Sequence, residues 1–147
     1  MKQKPKLRLY RKLKDRLILE EYVTKFDRER RRQFTMIRGG TNHLRIERGR
    51  WVGEREEERL CNVCLCNEIE DEKHYLLKCP MYVRERAKMY ERIRQDCKLE
   101  YVEIMNEEWQ MGVLIGQKLE QDREKIQGIV MDYMKNANNI RKIYINR

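Results

Sequence analysis

Residues 61–80 read CNVCLCNEIEDEKHYLLKCP. Cys61-Asn62-Val63-Cys64 sets two thiols at the spacing that lets a tight turn aim both sulfurs at one ion, and His74-Tyr75-Leu76-Leu77-Lys78-Cys79 adds an HxxxxC pair after a nine-residue gap. Three thiolates and an imidazole suit tetrahedral Zn²⁺, and four protein donors leave no coordination position for water. The expected cofactor is therefore one structural zinc ion held by Cys61, Cys64, His74 and Cys79. Cys66, two residues beyond Cys64, is an alternative donor in its place; the CxxC geometry favours Cys64 and leaves Cys66 a free thiol. Cys97 lies on a helical stripe and reads as a small buried hydrophobe. Five cysteines, an odd number, argue against a disulfide framework.

Working outward, the acids Glu68, Glu70, Asp71 and Glu72 precede His74. They suit a helix N-terminus, and one of them can accept a hydrogen bond from the imidazole nitrogen that does not face the metal. The acidity also makes this segment a poor surface for phosphates. Downstream, Tyr82, Arg86, Met89, Ile93 and Cys97 recur at helical spacing, predicting a helix over Met81 to Cys97. Asn106 caps a short helix carrying Trp109 and Val113 before Gly116. Ile126, Val130, Tyr133, Ala137, Ile140 and Tyr144 recur at four and three residues, the mark of a long amphipathic helix.

Upstream, Pro5 and the stripe Tyr10, Leu13, Leu17 predict a helix from about Lys6 to Tyr22. Asp27 caps a second helix that runs through Arg38 and stops at Gly39-Gly40. The alternation across Thr41 to Trp51, with Leu44 and Ile46 set against His43, Arg45 and Glu47, predicts a short strand or extended loop. The fold expected is mainly α: a helical domain around a small CCHC loop, with a basic helical arm and a long amphipathic C-terminal helix. Its parts are a basic arm and extended loop at 1–60, the metal segment at 61–80 and a helical region at 81–147, joined in one compact unit.

Of 147 residues, 40% are hydrophobic and 40% charged, and the formal net charge is +9. Residues 1–60 hold 19 Lys and Arg against 10 Asp and Glu, and the remainder is balanced at 15 against 15. A basic segment beside a neutral one suggests a docking surface for a polyanion, of which nucleic acid is the commonest inside cells. The expected phosphate contacts are Arg28, Arg30, Arg31, Arg32, Arg38, Arg45, Arg48 and Arg50. Trp51 or His43 could stack on an unpaired base, although a packed Trp51 is the plainer expectation. No run approaches the roughly 18 apolar residues of a membrane span, and no signal peptide is recognisable, so an intracellular protein with no membrane partner is expected. The competing expectation is a protein-interaction or assembly module that docks a partner on the Ile126 to Tyr144 stripe.

The runs His43 to Trp51, Glu58-Arg59-Leu60-Cys61, Cys64, Glu70 to Leu77, Cys79-Pro80, Tyr82 and Arg86 resemble the zinc-binding region that follows the reverse transcriptase in many non-LTR retrotransposon polyproteins. Lys6 to Tyr10, Glu21-Tyr22 and the terminal helix around Val130 and Tyr133 are similar to those tails as well. The resemblance implies a nucleic-acid-associated module, partnered by RNA or DNA and by a reverse transcriptase, located in the nucleus, with Cys61, Cys64, His74 and Cys79 as ligands. No catalysis by this chain is expected. Met131-Asp132-Tyr133-Met134 lacks the paired aspartates of a polymerase palm, and no nucleophile–base pair or phosphate loop is found.

Overall fold

Helix α7, Arg123–Ile145, is the spine of the molecule, packing against α3 (Arg28–Gly39), α5 (Val83–Cys97) and α6 (Glu107–Leu114) in a computed structural model that describes residues 7–14, 16 and 18–146. Its stripe is spent on that packing: Ile126, Val130, Tyr133 and Ala137 are buried in the core. The surface expected to dock a partner is thus largely internal. Only its last turn is open, with Ile143 and Tyr144 exposed.

Local signals set several boundaries. Asp27 accepts the Arg30 backbone N–H at 3.0 Å to open α3, and Gly40 closes it with φ 66°, a left-handed conformation that a side chain resists. Asn106 does the same for α6, accepting from the Trp109 N–H at 2.9 Å. On α5 the residues Arg86, Met89, Ile93 and Cys97 all face inward. One hydrophobic cluster takes in Leu13, Phe34, Cys61, Tyr75, Ile93, Leu114 and Val130, so the arm, the metal segment and the C-terminal region share a core.

Two elements depart from expectation. In place of the helix expected from Lys6 to Tyr22 there are two single turns, α1 (Tyr10–Leu13) and α2 (Tyr22–Lys25), and the described residues between them belong to no helix. Pro5 and Leu17 lie outside the described residues. Lys14 leaves the helix with φ −133° and ψ 124°, donates to the Ile18 carbonyl at 2.7 Å and pairs with Glu20 at 3.2 Å. Residues six apart would sit on different faces of a continuous helix, so this pairing requires the chain to fold back. The segment Thr41 to Trp51 is not a strand: Arg45–Trp51 forms helix α4, which buries Ile46, Glu47 and Gly49. Its first N–H groups are capped from a distance, Arg45 by the Glu70 carboxylate at 2.8 Å and Ile46 by the Glu70 carbonyl at 3.1 Å. Among the described residues there are no strands, only a single antiparallel bridge between Leu60 and Ile69.

Candidate metal centre

That bridge opens the metal loop. The Cys61 N–H donates to the Glu68 carbonyl at 2.8 Å and the Glu70 N–H to the Arg59 carbonyl at 3.0 Å, which folds the cysteine turn back on itself. Leu65 and Asn67, both at φ 56°, tighten the reversal. His74 and Cys79 come from a π-helical turn, His74–Lys78, closed by the Cys79 N–H on the His74 carbonyl at 2.7 Å. Five residues of α-helix would rotate the two donors apart, whereas a turn hydrogen-bonded from i to i+5 returns them to the same side. Asp71 caps that turn at the His74 N–H, 2.7 Å away.

The donor atoms of Cys61, Cys64, His74 and Cys79 all lie within 4.8 Å of one another, an arrangement that could hold a metal ion. Cys61, His74 and Cys79 are buried and Cys64 is half-buried. The Cys64 sulfur is 3.4 Å from His74 Nε2, and His74 Nδ1 faces the Glu68 carboxylate at 3.0 Å. With Nδ1–H donating to Glu68, the Nε2 lone pair points into the cluster, and the carboxylate makes the imidazole a better ligand. Burial works against charge on His74, but the Cys61 thiolate and Glu68 outweigh it and raise its pKa. Contact with Cys79 and, against burial, with His74 pulls the Cys61 thiol well below the ordinary thiol range, while the same Cys61 contact and burial push Cys79 up. Four donors held this close share protons, and a cation bound among them displaces those protons. Cys66 is exposed and lies outside the cluster, its thiol 3.5 Å from the Cys64 carbonyl, and Cys97 is buried on α5.

The loop is anchored from below. Tyr75, fully enclosed, donates from its hydroxyl to Asn138 Oδ1 at 2.8 Å and to the Met134 carbonyl at 3.2 Å, and the Tyr133 hydroxyl donates back to the Tyr75 carbonyl at 2.6 Å. Tyr82 and Tyr133 meet the Tyr75 ring edge-on, with centroids 5.3 and 5.9 Å away. Arg86 donates to the Cys79 carbonyl at 2.9 Å. Glu70, 1% exposed, receives Nε and Nη2 of buried Arg141, each at 2.9 Å, while capping α4. Glu72 is buried with Asn42 at 3.0 Å and Arg8 at 2.7 Å, and burial raises its pKa despite them. So the acidic cluster divides: Glu68 orients the histidine, Asp71 caps, and Glu70 and Glu72 are internal struts. Their partners lie 25 to 71 positions away in the chain, so no local pattern could have found them.

The eight arginines expected to meet phosphate have several different fates. Arg38 is buried in the core, paired with Glu20 and enclosed by the rings of Tyr10, Tyr22 and Phe34 at 5.4 to 5.7 Å, so it is no phosphate contact. Arg30 pairs with Asp132 at 2.8 Å, Arg31 donates to the Val23 carbonyl at 2.7 Å, Arg45 pairs with Glu54 at 2.5 Å and Arg50 with Glu47 at 2.6 Å. Arg28, Arg32 and Arg48 are exposed, and among the described residues none of them has an acidic partner. Trp51 is not packed against the loop: it is 76% exposed. His43 is half-buried and edge-on to Tyr75 at 6.3 Å; burial, then Arg141, Arg48 and Lys142, hold its pKa down to about 4.

Comparisons with protein-family models, with curated proteins and with solved structures each return no match to this chain.

Proposed function

We propose that the centre holds one structural Zn²⁺ and that the chain is a non-catalytic nucleic-acid-binding module related to the zinc-binding tails of non-LTR retrotransposon reverse transcriptases. Zinc fits the donor set: three sulfurs and an imidazole nitrogen oriented by a carboxylate match its borderline-soft tetrahedral preference, and a four-protein shell leaves no site for an activated water. Bound there, the ion supplies charge neutralisation and cross-linking, while Glu68 holds the His74 tautomer and Tyr75 holds the loop on α7.

The observation that carries the nucleic-acid reading is the uneven pairing of charge. The interior takes in Glu47, Glu70 and Glu72 together with Arg38, Arg86 and Arg141, so the excess of a chain of net charge +9 stays at the surface, where among the described residues Arg28, Arg32 and Arg48 have no acidic partner. RNA or DNA is the partner class, with a reverse transcriptase as the protein partner the resemblance implies, and the location that follows is intracellular and nuclear. The partner-docking alternative keeps the last turn of α7, with Ile143 and Tyr144 exposed, while Ile126, Val130, Tyr133 and Ala137 pack in the core.

The test is a salt titration of nucleic-acid binding by zinc-loaded protein. Arg28→Gln with Arg32→Gln should lower the slope of log affinity against log salt by roughly 1.4 to 1.8 units, as two phosphate contacts are lost. Their melting temperatures should stay at the wild-type value. Absence of salt-dependent binding to any nucleic acid would overturn the reading.

A further inference from the structure

Helix α4 ends in an aromatic side chain that the core does not use. Trp51 is 76% exposed and Val52, next to it, 72% exposed. Gly53 follows with φ 79°, and a Cβ built there would meet nothing within 4 Å, so the space beyond the helix end is open. The indole is nonetheless held. Arg50 lies over its ring with Cζ 5.4 Å from the centroid, and that guanidinium is fixed by Glu47 at 2.6 Å, a carboxylate only 2% exposed.

A further cation flanks this platform. Arg48, one helical turn before Trp51, shares its exposed side of α4. It has no acidic partner among the described residues. The nearby acids are largely matched, Glu54 by Arg45 and Glu57 and Glu58 by Arg55. A π-face with one cation behind it and another beside it is complementary to an unpaired base with its phosphate. A duplex offers no such match, because its bases are already stacked and extruding one costs several kcal/mol.

We infer that the exposed face of α4 is a single-strand site in which Trp51 stacks on an unpaired base while Arg48 holds a neighbouring phosphate. The inference rests on the nucleic-acid reading above and narrows it to one ligand class and one face. Helix α3, with Arg28 and Arg32, then supplies further phosphate contacts.

The experiment uses the zinc-loaded full chain and three labelled ligands: an oligouridine of about 12 nucleotides, a duplex of equal length and an abasic strand of the same backbone. Wild type should bind the oligouridine more tightly than the other two. Trp51→Ala should weaken oligouridine binding about 5- to 150-fold, leave duplex and abasic binding and the salt slope unchanged, and be rescued in part by Trp51→Phe. Arg48→Gln should instead lower the single-strand salt slope by roughly 0.7 units. Wild-type oligouridine affinity in a Trp51→Ala protein that melts normally would overturn the stacking site while the nucleic-acid reading stood. An equal loss on all three ligands would overturn it too. Failure of wild type to bind any of them would sink both readings and mark the Trp51 face as a protein contact.

Discussion

Replacing Glu70 by glutamine leaves the Arg141 guanidinium buried opposite a neutral amide. Glu70 and Arg141 have side chains 1% and 5% exposed, and two parallel hydrogen bonds of 2.9 Å join them, so neither charge can turn to water. Breaking a buried pair from one side costs about 3–5 kcal/mol. At roughly 2–4 °C per kcal/mol for a chain of this size, Glu70→Gln should lower the melting temperature by about 6–20 °C. Removing both charges is a different perturbation. Glu70→Leu with Arg141→Met leaves no orphaned ion and loses chiefly the acceptor for the Arg45 N–H, a cap worth about 1 kcal/mol. The double variant should therefore be more stable than either charge-removing single variant. Urea unfolding of the singles and the double with zinc present gives the cycle directly. A Glu70→Gln protein within 1 kcal/mol of wild type, or a double variant no better than the singles, would refute the view that this pair ties the metal loop to α7 and α4.

For the metal, Cys64→Ser should abolish stoichiometric zinc binding and Cys66→Ser should leave it intact, measured by metal analysis after dialysis; full occupancy in Cys64→Ser would transfer the ligand role to Cys66. For pH, His43 titrates near 6.5 when unfolded and at about 4 in the fold. The unfolded chain therefore binds more protons between those values, and stability falls as pH drops from 6.5 toward 4, by up to about 3 kcal/mol. The difference in unfolding free energy between wild type and His43→Gln should show that slope, and parallel pH curves would contradict it.

What could be read from the chain alone was what its neighbours in sequence decide. Asp27, Gly40 and Asn106 cap helices through contacts a few residues away, and the stripe from Ile126 to Ala137 buries the face its spacing indicates. The four-donor cluster was legible because chelation restricts ligand spacing. Helix α4 was not, since its cap is Glu70, 25 residues on, and the alternation of Leu44 and Ile46 imitates a strand over so short a span. The arm failed for a similar reason: Glu20 leaves any helical register to meet Arg38, 18 residues away. Arginine carries the same charge whether it faces water or three aromatic rings, so composition could not separate Arg38 from Arg32.

The clamp between Tyr75 and α7 also bears on the order in which the protein is made. Tyr75 reaches Asn138 across 63 positions, and Glu70 reaches Arg141 across 71. During synthesis all four metal donors leave the ribosome well before Tyr133, Met134, Asn138 and Arg141, so the loop can capture its ion while the helix that fastens it is still unmade. Until α7 arrives, the sides of α3, α5 and α6 that pack on it lie uncovered. Contacts so distant along the chain close slowly, and the nascent protein passes through an interval in which its ligands are complete but its interior lies open.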